Sequence, residues 1–250
     1  MTPDLLHYST YFVLTFVLST LFAMGGVGSA IGLVPIFSMM GLPINLAKAV
    51  GLFINSASTI TASILNYLRG VLDIKFAIPL LLAIMVATPV GAWFSQYVQQ
   101  EYIEWMLVAF LITAATLLIF SKRETMVVYD KAWVLYLIGG SVGLISGMLG
   151  VGGGSLMMPA LILLGFDAKK AAHAISFIIP FSSLGAFGTY LSFVHMDWTL
   201  LGIVTIAAIA GGYLGGRIMN DRLKPKDVKK LIAFVLLLLA AKMLWKLLAL

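Results

Sequence analysis

Ten apolar segments, most of them near twenty residues long, fix what this chain can fold into. They run over residues 5–24, 29–40, 49–68, 76–97, 103–120, 132–149, 155–164, 171–194, 198–219 and 231–250. A helix of about 20 apolar residues covers the hydrocarbon of a bilayer, where only helices or closed barrels satisfy their own backbone. Charged residues make up 10% of the chain and apolar ones 61%, against roughly a quarter charged in soluble domains. The expectation is an all-α polytopic membrane protein with the lipid bilayer as a partner. No Lys or Arg precedes the first segment, and it is long for a signal sequence, so it is expected to stay attached.

Segments 29–40 and 155–164 are too short to span, and each follows a glycine-rich break. The stronger break reads Gly147-Met148-Leu149-Gly150-Val151-Gly152-Gly153-Gly154-Ser155 and is closed by Pro159. Each interior Gly costs a helix about 1 kcal/mol against Ala, so three in succession end it. A weaker copy lies 124 positions earlier, where Gly26-Val27-Gly28 matches Gly150-Val151-Gly152 and Pro35 matches Pro159. The same offset pairs Gly41 with Gly165, Ala47 with Ala171, Ser58 with Ser182, Asp73 with Asp197 and Gly91 with Gly215. A gapless offset of that extent marks a tandem duplication. Its repeats are 1–124 and 125–250, each with about four membrane-spanning helices plus a short half-helix after the break.

Charge sets the topology. If each short segment only continued the helix before it, the Lys and Arg residues would divide almost evenly between the two faces. If the chain instead reverses at each break, one face keeps only Lys48, Lys242 and Lys246, and the other collects the remaining 13 of the 16. Short loops rich in Lys and Arg stay cytoplasmic, so both termini are expected to be extracytoplasmic. Five legs per half also make the two repeats inverted. Trp93, Trp105, Trp133, Trp198 and Trp245 stand near segment ends, where interfacial anchors belong. Lys48, Lys169 and Lys170 are expected to snorkel to the headgroups, the alternative being that they draw anions into a vestibule. Basic residues scattered at segment ends form no stripe, so nucleic acid is not a partner. A homo-oligomer is left open.

Legs that enter and leave from one side carry their turns toward the bilayer middle. The helices after the breaks then begin there, with unpaired N–H groups and the positive end of the helix dipole, which suits an anion. Half-helix ends of this kind in inverted repeats are the usual substrate sites of secondary transporters. The candidate substrate-binding residues are Gly26, Val27, Gly28 and Ser29 in the first break, and Gly150, Val151, Gly152, Gly153, Gly154 and Ser155 in the second. Asn55, Ser56, Ser58, Ser176, Ser182 and Ser183 on the following helices are candidate donors to the same small anionic substrate, and His173 is a candidate ligand or proton carrier. Each has a plainer reading: the glycines pack helices, the small polar residues join them, and His173 is a hydrogen-bonded packing residue. Gly139, Gly140, Gly143, Gly147, Gly211, Gly212, Gly215 and Gly216 are expected to pack. Asp73 and Asp197 are expected to cap helices.

Other chemistry is poorly supplied. The chain has no Cys and three isolated His, so no metal site is expected, and with no Walker motif or strand-led glycine fingerprint no cofactor is either. All ten acids lie at segment ends or in loops, so no buried carboxylate is expected to relay protons or cations.

The pattern Gly147, Gly150, Gly152, Gly153, Gly154, Pro159, Gly165, Ala171, Ala172, Ala174 and Ser176 resembles the TauE/SafE family, and length and paired motifs extend the resemblance over the whole chain. It implies export of sulfite, small sulfonates or related organic anions across a bacterial inner membrane. The first half departs from the pattern, with Ser29 and Ala30 opposite Gly153 and Gly154 and Leu52 opposite Ser176. The function expected is therefore a secondary transporter, an exporter of small anions by alternating access. The alternatives are a passive anion channel of the same architecture and a transporter of a non-sulfur carboxylate. An intramembrane enzyme ranks last, because no nucleophile and base stand together.

Overall fold

The computed structural model describes residues 5–25, 28–68, 70, 74–120, 131–166, 168–221 and 225–248. Among these, ten α-helices follow in order: α1 (Leu5–Gly25), α2 (Ala30–Met39), α3 (Ile44–Leu68), α4 (Ile74–Phe94), α5 (Gln100–Phe120), α6 (Ala132–Leu149), α7 (Gly154–Leu163), α8 (Ala168–Leu191), α9 (Trp198–Asp221) and α10 (Pro225–Leu248). A 3-10 turn, Ser95–Tyr97, follows α4. No strand occurs among the described residues.

Local chemistry sets the ends. α6 stops at Gly150, whose φ of 69° lets its N–H bond the Gly147 carbonyl while the Val151 N–H bonds that of Ser146. α9 is capped by Asp197, whose Oδ1 accepts from the N–H groups of Thr199 and Leu200 at 3.0 Å each. Its counterpart Asp73 lies outside the described residues. α3, α5, α8 and α10 begin several residues before their apolar segments, because polar first turns are helical without being hydrophobic. Pro225 opens α10, where a missing N–H costs nothing.

Among the described residues, four helices are long and apolar enough to cross a membrane: Phe76–Tyr97, Ala132–Leu149, Ala171–Leu191 and Trp198–Ile218. α1, α3, α5 and α10 have the length as well, at 21 to 25 residues. Large apolar side chains such as Val13, Ile64, Val86, Ile206 and Leu238 face outward, a surface made for acyl chains rather than water. Trp133, Trp198 and Trp245 are 61%, 66% and 78% exposed near the start of α6, the start of α9 and the end of α10.

Shifted by 124 positions, α2 coincides with α7, and α3, α4 and α5 fall on α8, α9 and α10. The contacts obey the same shift. α1 lies along α9 as α6 lies along α4, α9 packs on α3 as α4 packs on α8, and α10 touches α2 as α5 touches α7. Glycine allows the closest of these approaches. A Cβ at Gly211 would stand 2.5 Å from the Phe16 carbonyl oxygen and one at Gly212 2.7 Å from that of Ser58. At Gly139 and Gly143 a Cβ would crowd Ala83 and Ala87, and at Gly147 and Gly215 it would overlap the Thr88 and Thr20 carbonyls. At Gly140 and Gly216 it would meet nothing within 4 Å, so those two glycines do not share the packing role expected of them.

α3 and α8 run antiparallel through the centre. Phe53 packs on Phe187 with ring centroids 4.9 Å apart, Asn55 reaches Ser183, Ser56 reaches the Pro180 carbonyl, and Ser63 reaches the Ser176 carbonyl. The last of these has a cause. Pro180 has no N–H to give the carbonyl four residues back, and the Ser63 hydroxyl supplies the missing donor.

Elsewhere an expectation is corrected. Glu104 is only 4% exposed, accepts from Gln100 Nε2 at 3.0 Å and lies 3.6 Å from Lys246 Nζ. A segment end is therefore not always an exposed place: the last turn of α10 covers the start of α5.

Candidate functional site

Gly28 and Gly152 carry φ values of 80° and 69°. A side chain in that left-handed region costs roughly 1–2 kcal/mol, which glycine escapes. Space is short at both. A Cβ at Gly28 would run into Asn55 Oδ1, and one at Gly152 would run into Asn55 Nδ2 and stand 2.8 Å from Ser183 Oγ. The two breaks thus lie against opposite ends of one amide. Asn55 Nδ2 donates to Ser183 Oγ at 3.0 Å, and Oδ1 accepts from the Ala30 N–H at 3.5 Å. Both side chains are buried.

Helix starts converge on the same place. Ser29 precedes the first residue of α2, makes no side-chain cap, and its buried hydroxyl has no hydrogen-bond partner among the described residues. The Gly32 and Leu33 N–H groups already bond the Ser29 carbonyl at 3.1 Å, but the N–H groups before them have no acceptor within the helix. α7 begins at Gly154 and makes its first turn with the Met157 N–H on the Gly153 carbonyl at 3.2 Å. Two positive helix ends, the Asn55 amide and the Ser29 hydroxyl are groups of the kind that bind a small oxyanion.

The other candidates fall differently. Gly26 and Val27 lie outside the described residues. Val151 is buried in the core, Gly150 closes α6, and Ser155 lies in the first turn of α7. A Cβ at Gly153 would strike the end of Ile84, and one at Gly154 would stand 2.9 Å from Ile179 Cγ1, so these glycines make room for isoleucines of α4 and α8. The Ser56 hydroxyl is directed to the Leu52 and Pro180 carbonyls at 3.2 and 3.3 Å, joining α3 to α8. Ser176 Oγ donates to the His173 carbonyl at 2.8 Å. Ser176 and the half-buried His173 precede Ser183 on α8 by about 10 and 15 Å of helix rise, so neither joins the Asn55 contact.

Two residues carry more than the sequence suggested. The Tyr190 hydroxyl stands 2.9 Å from the Gly147 carbonyl and 3.1 Å from that of Met148, and accepts from Ser95 Oγ at 3.0 Å. It ties the last turn of α6 to α8 just before the second break. In sequence it is one more aromatic near a segment end. Lys48 does not snorkel. It is 0% exposed, and its side chain lies against Gly150. The clue was its place inside an amphipathic helix start rather than in a loop.

Two substitutions test this geometry. Tyr190→Phe leaves the α6 carbonyls and Ser95 short of a partner, so it is expected to cost about 1–3 kcal/mol, seen as a lower unfolding temperature in detergent. Gly152→Ala combines backbone strain with a clash on Asn55, and a loss of at least about 2 kcal/mol is expected in the same measurement.

The family described as sulfite exporter TauE/SafE matches residues 11–243. The chain belongs to the TauE/SafE family. Among similar proteins, the probable membrane transporter protein YunE of Bacillus subtilis is 31% identical over 109 residues. That match spans 42% of this chain and 38% of YunE, well short of its full length. The probable membrane transporter protein ORF9 of a Sinorhizobium species is 26% identical over 93% of this chain and 90% of its own. A probable membrane transporter protein of Methanocaldococcus jannaschii is 26% identical over 90% of each chain. A TauE/SafE chain with several bilayer-length apolar helices is a polytopic membrane transporter.

Proposed function

We propose that this TauE/SafE protein is a secondary transporter rather than an enzyme, exporting small anions such as sulfite or organosulfonates across a bacterial inner membrane. The anion is held at the half-helix starts near the midplane, and two inverted repeats, 1–124 and 125–250, expose it alternately to either side. The observation that carries this is the convergence of Gly28 and Gly152 on the one amide of Asn55.

Inversion is supported by direction. α3 and α8 are counterparts under the 124-residue shift and run antiparallel, as the Asn55–Ser183 and Ser63–Ser176 contacts require. An axis relating antiparallel counterparts is perpendicular to them, and for membrane-crossing helices it lies in the membrane plane. Outward termini are supported by the contacts Tyr8–Asp197 and Lys246–Glu104, which gather the start of α1 and the end of α10 with the Lys-poor turns. In the sequence the Lys- and Arg-rich stretches adjoin the opposite ends of those helices, as the positive-inside rule expects of a cytoplasmic face.

The test is flux of radiolabelled sulfite in proteoliposomes. Saturable uptake with counterflow against unlabelled sulfite is expected. Passive flux without counterflow would assign the channel alternative, and flux of acetate but not of sulfite or taurine would assign a carboxylate carrier.

A further inference from the structure

We propose that Lys48 forms a second anion station, on the outward side of the Asn55 site and present in the first repeat alone. It rests on the reading of the two breaks as an anion route and adds to it a charged stop that the pseudo-symmetry does not provide. Lys48 lies in the second turn of α3, seven residues before Asn55, and is among the largest fully buried side chains of the protein. Its stem lies where a Cβ on Gly150 would be, with Cδ only 2.9 Å from that position. The second break thus gives up its side-chain volume to this lysine.

The surroundings do not neutralise it. Nζ is 3.5 Å from Asn45 Oδ1 and 5.5 Å from the centroid of the Tyr190 ring. No ion pair with Lys48 occurs among the described residues, where Lys246 and Glu104 form one. An ammonium has three N–H donors, and the amide oxygen of Asn45 answers one. The Tyr190 ring offers Nζ only its face, since its hydroxyl is turned to the Gly147 and Met148 carbonyls. Burying a cation with so few partners is costly, and a methionine would fill the same space without that cost. Packing does not ask for the charge either, because the counterpart of Lys48 in the second repeat is Ala172. A small oxyanion would supply the missing acceptors through charge-assisted bonds. Since Lys48 has no exposed surface here, the station is shut in this conformation, and the outward-open state would uncover it.

The experiment compares wild type, Lys48→Met and Lys48→Arg in proteoliposomes of known orientation, with radiolabelled sulfite offered from one face at a time. Lys48→Met is expected to raise KM from the outward face by about tenfold, to leave the inward-face KM within about twofold, and to raise the unfolding temperature because a buried charge is gone. Lys48→Arg is expected to keep the outward KM near that of wild type. Equal changes at both faces, no change at either, or a lower unfolding temperature for Lys48→Met would make the lysine a structural cation and overturn the station alone. A wild type that carries no sulfur anion would overturn the Asn55 site and the station together.

Discussion

Asn55→Leu is expected to abolish sulfite transport while leaving a folded protein about 1–3 kcal/mol less stable. The stability loss has an identified origin: the Ser183 hydroxyl loses its 3.0 Å donor and the Ala30 N–H its acceptor, both in buried surroundings. The transport loss has a different one. The amide lies against Gly28 of one break and Gly152 of the other, so its removal takes away the donor between the two helix ends. Ser183→Ala separates the effects, because it removes the hydrogen bond and keeps the amide. It is expected to lower stability by a similar amount and to retain most of the flux. The check is sulfite counterflow beside thermal unfolding of each variant. Equal flux in wild type and Asn55→Leu would remove Asn55 from the site.

The largest effect on folding is expected at Gly147. A Cβ there would overlap the Thr88 carbonyl oxygen, and Thr88 cannot retreat easily, since its hydroxyl bonds the Ile84 and Ser182 carbonyls at 2.7 and 3.1 Å. Gly147→Val must therefore part α4 from α6, and a cost of about 3 kcal/mol or more is expected, enough to prevent a monodisperse preparation. Gly140→Val, on the same helix with nothing within 4 Å, is expected within about 0.5 kcal/mol of wild type. Similar unfolding temperatures for the two variants would contradict this account of the α4–α6 contact.

Much of the architecture was legible because two periodic signals overlap. Apolar runs of bilayer length fix helices, and a constant offset fixes which helices correspond; α2 and α7 obey it to the residue. The breaks were legible as well, since Gly150 and Gly152 stand where a helix cannot continue. What the sequence hid is set by distance along the chain. Asn55 and Ser183 are 128 positions apart, and no local pattern says that their side chains meet, so the sequence offers Ser176 and Ser183 alike as donors and only the fold puts Ser183 at the contact. Lys48 misled for a related reason. A lysine near a segment end ordinarily reaches the headgroups, but α3 begins at Ile44 and is packed from its first turns by α8. Glu104 was hidden by the end of α10 folding over it.

The most direct test of the Asn55 site is sulfite-dependent stabilisation of the purified protein in detergent, comparing wild type with Asn55→Asp. The variant keeps the size of the side chain and replaces a donor by a negative charge. A ligand that binds the folded state at a hundredfold excess over its Kd stabilises by about 2.7 kcal/mol. The expected result is a rise in unfolding temperature with sulfite for wild type and none for Asn55→Asp. An equal rise in both would place the anion elsewhere in the molecule, and no rise in wild type with sulfite, taurine or sulfoacetate would contradict a sulfur-anion site at the meeting of the two breaks.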